Sequence, residues 1–586
     1  MIIDRSNNQV WVAIGFLSVV FHTYLIFSGL IPSLVSRPLH LVAALPWIFL
    51  VSQTKFSHAL RDVVWFCLAI TACIYLAINE PALSDQYGFL EGYFQYLISF
   101  VLVITVLEMA RRTVGLPLPI VTSLFLLYGF FGHLIPGEFG HGGIPLGSYL
   151  GTLIITEGGL WGPLTGVSVS IISIFLIFGA VLNAGEAGRG FMNLAVTSAG
   201  NLKGGAAKVS VISSALFGSI SGSASANVAS TGMVTLPTMQ KLGYPKKVAG
   251  AVEAVASTGG QIMPPLMGAG AFVMVELTGI PYTEVILAAS LPALLYFYTV
   301  WIGVNRYAEL FNLRPVDASE QPNKLELAIT VGFFIVPFAM LLWLMFSGYT
   351  PQYAAALATV VAMFLLFTGA DARLNLKRGF ARLGEALTIS GRQISMIASI
   401  ILCASLIVGV LGITGLGVKI TSLILSVSGE SLYLTLALTA VACLFLGMEV
   451  PTTAAYVICV SVAGPALIDR GLEPILVHLF VFWYALLSTI TPPVCGGVFI
   501  AAGMVEENWL KVAVSSMAIG IGLYIIPIGM VTHPEIVNLN NWLYALIFAL
   551  KIALGITVSS YGLISQRRVL DRIIFVVVGL FIITIK

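Results

Sequence analysis

Two distant stretches carry the residue types that could hold an ion: Ser257–Met274 (STGGQIMPPLMGAGAFVM) and Ser488–Met504 (STITPPVCGGVFIAAGM). Each runs Ser-Thr, a few residues, Pro-Pro, then a Gly/Ala-rich apolar segment. Proline interrupts i→i−4 bonding, so Pro264 and Pro492 would free carbonyls near Thr258, Gly260, Thr489 and Thr491, with Gln261 beside the first break. Such carbonyl and hydroxyl oxygens suit a hard cation. Amides at helix N-termini suit an anion.

A second unusual stretch precedes each device at nearly the same distance. Gly218 lies 46 residues before Pro264 (264 − 218), and Gly447 lies 45 before Pro492 (492 − 447). The first, Gly218–Gly232 (GSISGSASANVASTG), offers Ser221, Gly222, Ser223, Ser225 and Asn227. Its counterpart, Gly447–Tyr456 (GMEVPTTAAY), offers Glu449, Thr452 and Thr453. The glycine-rich run reads as a re-entrant hairpin, although close helix packing of the GxxxG kind would use the same residues. The Pro-Pro pairs would also serve as plain packing kinks. Paired Gly/Pro interruptions in two halves of a membrane protein point to a transport site, because irregular backbone is tolerated in a bilayer only where protein or a cavity surrounds it.

Glu449 is a candidate proton carrier, since desolvation favours the neutral form of a carboxyl; a solvated hairpin tip is the other reading. Glu253 and Glu276 bracket the first Pro-Pro device and raise the same question. His22 and His478 lie in apolar segments and read as satisfied core histidines. HExxH, P-loop and dinucleotide-binding patterns are absent, so no nucleotide-driven motor is expected.

The elements that must position these residues are membrane helices. Of 586 residues, 58% are hydrophobic and 9% charged, against about 25% charged in a soluble domain. The net charge of +2 gives no reason to expect a nucleic-acid partner. The bilayer is the expected surroundings, with Val10–Leu30 as a first, retained span. The six cysteines (67, 73, 403, 443, 459, 495) are expected to be buried thiols without disulfides. Lys55, Arg61, Arg111 and Arg112 mark one side, while the acidic loop Asn79–Tyr93 lies on the other. The positive-inside rule then puts the N-terminus in the cytoplasm.

Residues 1–112 read as four scaffold helices, about 10–30, 39–53, 62–79 and 93–110. Residues 113–586 read as a second module, with a first repeat about 203–300, a second about 430–532, and extra C-terminal helices about 541–586. The last run is short for a full crossing. The turn Lys241–Lys247 carries three lysines, whereas its counterpart Asp469–Pro474 carries two acids and one arginine. Opposite orientation of the two repeats would require that difference. Asn305–Lys324 reads as a polar linker, and Ala370–Arg392 as a basic amphipathic segment at the interface. The expected fold is an all-α polytopic membrane protein: a four-helix module plus an inverted-repeat core with two re-entrant hairpins and two broken helices.

On SGSASANVASTG, ASTGGQIMPPLMGAGAFVM, GMEVPTTAAY and LLSTITPPV, preceded by four helices, the chain resembles a tripartite ATP-independent periplasmic (TRAP) transporter. More narrowly, it resembles the TAXI subtype, with small and large membrane subunits fused. The resemblance covers essentially the whole chain. It implies an elevator-type secondary transporter in the bacterial inner membrane, fed by a periplasmic TAXI-type substrate-binding protein, driven by an ion gradient, with no further cofactor. Two departures stand out. Glu449 replaces a usual glycine, and Thr489 replaces a usual acid. They put a standard sodium scheme in doubt and favour proton coupling through Glu449, or a mixed scheme with Na+ kept at the first hairpin/broken-helix pair. The expected cargo is a C4–C5 dicarboxylate such as 2-oxoglutarate, 2-hydroxyglutarate or glutamate, and the expected permease is a monomer. A stand-alone carboxylate symporter is the alternative. A polytopic membrane enzyme would need clustered ligands, and the seven histidines are scattered.

Overall fold

The computed structural model describes residues 8–50, 56–316, 321–447, 450–493, 495–566 and 568–585. Among them every regular element is a helix, and the one β contact is an isolated bridge between Thr368 and Leu374. Eleven of the described helices are long and apolar enough to cross a bilayer. The last helix, Val569–Thr584, is not among them. Its 16 residues rise about 24 Å, short of a hydrocarbon core of about 30 Å.

The N-terminal module consists of Asn8–Phe27, Ser33–Phe49, Phe56–Ile78 and Gly92–Thr113, with a short turn of helix at Glu80–Ser84. The second helix begins earlier than the apolar pattern predicts. Arg37 looks like a loop residue in sequence, but its guanidinium donates to the Trp161 carbonyl and lies 3.5 Å from Glu157, so it belongs inside the helix. Two polar clasps hold the module. Arg112 makes a bidentate pair with buried Asp62 (2.7 Å each), reaches Glu108 at 2.7 Å and lies over the Phe49 ring. His22 Nδ1 donates to Ser18 O (2.7 Å), and His22 Nε2 meets His40 Nδ1 (2.8 Å). His40 Nε2 then meets Ser168 Oγ (3.1 Å), beyond these four helices. His22 is therefore a satisfied core histidine, as is His478, whose Nδ1 meets Tyr456 Oη at 2.7 Å.

The helix Leu376–Thr414 is the spine. Its 39 residues extend about 58 Å, and it packs on three of the four N-terminal helices and on Ser173–Ala184. The expected interfacial segment ending at Arg392 is thus the first part of an unbroken span. Gly391 permits this contact, since a Cβ there would fall 2.3 Å from the Trp47 ring. The expected linker at 305 also starts later: Tyr282–Leu310 stays helical, with Arg306 paired to Glu309 and stacked on Tyr561. All six cysteines are free thiols. Five are buried, but Cys67 is exposed on the outer face of its helix, a correction to the expectation that all are buried.

The core repeats one pattern twice. The first copy is a hairpin (Gly205–Ser221 and Ala224–Lys241), then a broken helix (Lys246–Gly259 and Gly268–Thr278). The second is Leu432–Leu446 and Thr452–Asp469, then Pro474–Leu486 and Gly496–Val505. Both second hairpin arms have 18 residues. Lys246–Gly259 packs on Gly496–Val505, whereas Gly268–Thr278 packs on Thr452–Asp469 and Pro474–Leu486. Lys246, at the start of the first broken helix, lies 3.7 Å from Glu506, just past the end of the second. The two broken helices therefore run antiparallel, as an inverted repeat requires.

Arg112→Ala should destabilise the N-terminal module by about 2–3 kcal/mol, because the buried Asp62 carboxylate loses its bidentate partner. Thermal unfolding of the solubilised protein reads this as a lower midpoint. An unchanged midpoint would contradict the clasp.

Candidate functional site

The two hairpins and two broken helices meet at mid-core, and glycine sets how closely. A Cβ on Gly218 would lie 2.5 Å from Gly260 Cα and 2.5 Å from Asn227 Nδ2. A Cβ on Gly222 would lie 2.7 Å from Gly268 Cα. Gly222 also takes a left-handed φ of 62° where the chain reverses, a conformation glycine adopts without penalty. The small-residue run thus makes a re-entrant hairpin and packs backbone on backbone; the two readings of it hold together.

The antiparallel breaks touch through the side chains of Thr258 and Thr489, whose hydroxyls are 2.9 Å apart. One hydroxyl donates to the other, which in turn donates to its own helix; the available carbonyls are Ala254 O for Thr258 and Leu486 O for Thr489. Asn227 is fully buried and turned inward, its Nδ2 donating to Ser214 O (2.8 Å) and Ser257 O (3.4 Å). It ties the hairpin to the broken helix.

Between the hairpin turns lies a cavity of about 570 Å³. Gly222, Ser223 and Ser225 line it from the first hairpin and Gln261 from the first break. Thr452 and Thr453 come from the second hairpin, and Ser488 and Thr489 from the second break. Three helices begin at its wall: at Ala224, where Ser223 Oγ accepts from Ala226 N, at Thr452 and at Gly496. The positive ends of these three helices therefore lie at one space. No charged side chain is among its described lining residues. The arrangement suits a small anion held by amides and hydroxyls.

The remaining sequence candidates sit behind this wall. Thr258 and Gly260 form the contacts just described. Thr491 Oγ1 meets Tyr524 Oη at 2.6 Å. Pro264 and Pro492 each begin a cis Pro-Pro pair in the breaks. Ser221 Oγ is buried and, among the described residues, has no hydrogen-bond partner. Glu449 lies outside the described residues, next to the cavity-lining Val450. Among the described residues no cluster of three His, Cys, Asp or Glu could hold a metal, so a cation in this region would rely on hydroxyl and carbonyl oxygens.

The sequence reading missed the far wall: Thr113, Val114 and Pro117 from the end of the N-terminal module, and Met396, Ile397 and Ile400 from the spine. They are distant in sequence and carry no local signal. Gly496 and Gly497 also line the cavity, and the Gly-Gly pair directly after the Pro-Pro break was a usable cue.

Comparison with known proteins gives a consistent picture. The family profile described as "Tripartite ATP-independent periplasmic transporter, DctM component" matches residues 101–539. The chain is 27% identical over 338 residues to the C4-dicarboxylate TRAP transporter large permease protein DctM of Pseudomonas aeruginosa, covering 57% of this chain and 76% of that one. It is 22% identical over 375 residues to the 2,3-diketo-L-gulonate TRAP transporter large permease protein YiaN of Escherichia coli, covering 64% and 86%. It is 24% identical over 430 residues to the isethionate TRAP transporter permease protein DctMQ of Oleidesulfovibrio alaskensis, covering 70% and 64%.

Gly218→Ala should force the hairpin off the first break and cost about 1–3 kcal/mol. A lowered unfolding midpoint checks this; a midpoint equal to that of the unaltered protein would contradict the close backbone approach.

Proposed function

The chain belongs to the tripartite ATP-independent periplasmic transporter family, DctM component, and on that premise we propose that it is the permease of a binding-protein-dependent secondary transporter importing a small dicarboxylate. The observation that carries this reading is the convergence of three helix N-termini, with serine and threonine hydroxyls, on a cavity without charged described lining. Helix N-termini on opposite hairpins can each answer one carboxylate. A C4–C5 dicarboxylate such as 2-oxoglutarate, 2-hydroxyglutarate or glutamate fits that demand. The relatives named for C4-dicarboxylates, 2,3-diketo-L-gulonate and isethionate support small organic anions as the class.

The partner is a periplasmic substrate-binding protein, of the TAXI type on the motif resemblance. The start of the matched region at residue 101 supports reading residues 1–112 as a fused small-subunit-like scaffold. The His22–His40–Ser168 chain and the spine contacts brace that scaffold against the core, in keeping with a monomeric permease. The hairpins and broken helices form the moving unit of an elevator. The cavity borders Thr113–Pro117, directly after Arg111 and Arg112. With the N-terminus cytoplasmic, that border is on the inner side.

Coupling uses H+ and/or Na+. The orphan Ser221 Oγ supports an oxygen-lined cation site in the first repeat. Glu449, adjacent in sequence to the cavity wall, supports a proton site in the second.

Uptake of a labelled C5 dicarboxylate into proteoliposomes, with the binding protein outside, tests the reading. Uptake should need the binding protein and follow an imposed gradient. Uptake without the binding protein would overturn the tripartite reading in favour of a stand-alone symporter. Glu449→Gln should abolish pH-driven uptake; an unchanged pH dependence in that variant would remove Glu449 from the coupling scheme.

A further inference from the structure

Behind the hairpin, one carboxylate sits where the bilayer offers no solvent. Glu253, on Lys246–Gly259, is fully buried. Its oxygens are surrounded by hydroxyls from three helical arms. Ser210 Oγ donates at 2.8 Å and Ser214 Oγ at 3.4 Å from the first hairpin arm. Thr231 and Thr235 donate from the second arm, and Ser257 donates at 3.4 Å from its own helix.

Among the described residues no cation answers this carboxylate. On Lys246–Gly259 itself the other charged groups are Lys246, paired with Glu506, and Lys247. On the arms and helices packed against it, the titratable groups are Lys208, Lys241 and Lys511, together with Tyr282, Glu284, Tyr296, Tyr298, Arg306, Tyr307 and Glu309 of Tyr282–Leu310. Lys208 sits over the Trp301 ring at 4.8 Å, Lys511 pairs with Glu507, and Arg306 pairs with Glu309. Tyr296 donates to Val255 O and Tyr282 to Pro265 O. Among the described residues, none of these groups forms an ion pair or hydrogen bond with Glu253. A buried unpaired charge is expensive, so a purely structural clamp would be better served by a neutral amide.

The cage fits two protonation states. With the carboxylate ionised, five hydroxyls donate to it. With it protonated, its O–H needs an acceptor, and two threonines can become one. Thr231 Oγ1 can donate instead to Asn227 O (2.8 Å), and Thr235 Oγ1 to Thr231 O (3.0 Å). Each then presents a lone pair to the acid. Neither state leaves a buried group unpaired.

The cage also has a door. Thr235 lines a crevice of about 180 Å³ between the first hairpin and the helix Ala187–Ala199, with Thr238 on the hairpin wall beside it and Asn193 on the facing helix. The crevice exceeds the roughly 10–15 Å³ that one water needs. It lies toward the Lys241 end of the arm, while Ser225 lines the large cavity toward the other end.

We propose that Glu253 is a proton-binding site of the transport cycle, loaded and unloaded through the crevice at Thr235. A hydronium in the crevice gives its proton to the Thr235 hydroxyl oxygen as the hydroxyl's own proton passes to the Glu253 carboxylate. The products are water and a carboxylic acid. This inference rests on the chain being a cation-coupled permease, as proposed above. It adds a carboxylate distinct from Glu449.

Infrared difference spectra of the full-length permease in nanodiscs, recorded across pH steps, test it without substrate or binding protein. A failed uptake assay would therefore count against the function and leave this test standing. The expected result is a carboxylic-acid C=O band that grows on acidification and is lost in Glu253→Gln. Glu449 is intact in that variant and cancels. Identical pH-difference spectra for the two proteins would overturn the proposal, because a fixed structural clamp does not titrate. Thr235→Val keeps the carboxyl and the side-chain shape, and it decides the matter if Glu253→Gln does not fold. Hydrogen–deuterium exchange of the acid band should slow markedly in Thr235→Val. An acid band that is absent at every pH, or that exchanges at the unaltered rate, would overturn it.

Discussion

Backbone amides and carbonyls have no water to turn to inside a bilayer, and this molecule breaks four helical elements there. Everything else in the core follows from where those broken ends can be placed. The solution is to bring the ends together at close range, with Gly218 against Gly260 and Gly222 against Gly268. Any side chain at these positions would separate the hairpin from the break. The amides at Ala224, Thr452 and Gly496 would then lose the shared space that makes them a site.

The same constraint explains the division of labour. The spine and the N-terminal helices contain one continuous span after another, with few interruptions, and are fastened by buried polar clasps such as Arg112–Asp62. The repeated core carries the breaks. Antiparallel placement lets each broken helix lay its intact half beside the far half of the other, so that Thr258 and Thr489 meet at the crossing. A charge-free described lining gives the cavity its character: an anion there is met by helix ends and hydroxyls, while the core's buried carboxylate at Glu253 is set back one helix turn behind Ser257.

Much of this was legible in the residues. The matched 46- and 45-residue spacings marked the repeat, and the small residues at 218–232 marked the hairpin, because its contact positions Gly218 and Gly222 leave no room for a Cβ. Ser223, Ser225, Gln261, Thr452, Thr453 and Thr489 do line the cavity. Asn227 does not, because a buried amide that finds two carbonyls is spent on structure; sequence shows the amide but not its partners. The second helix, expected from about 39, begins at Ser33, and Arg37 within it finds partners more than a hundred residues away. The scaffold wall at Met396–Ile400 was invisible, since an apolar residue facing a cavity looks like one facing lipid. The Glu253 cage was half visible: Thr231, Thr235 and Ser257 are spaced along two arms, but only folding brings Ser210 and Ser214 to the same carboxylate.

The central claim is that helix N-termini, rather than basic side chains, hold the anion. The most direct measurement is displacement of a labelled C5 dicarboxylate bound to the purified permease by the unlabelled dicarboxylate or by its isosteric diamide. The account predicts that the unlabelled dicarboxylate competes and the diamide does not, because an amide carries no charge for the helix ends to meet. Equal competition by the diamide would contradict it, and would mean that the cavity recognises shape and hydrogen bonds without regard to charge.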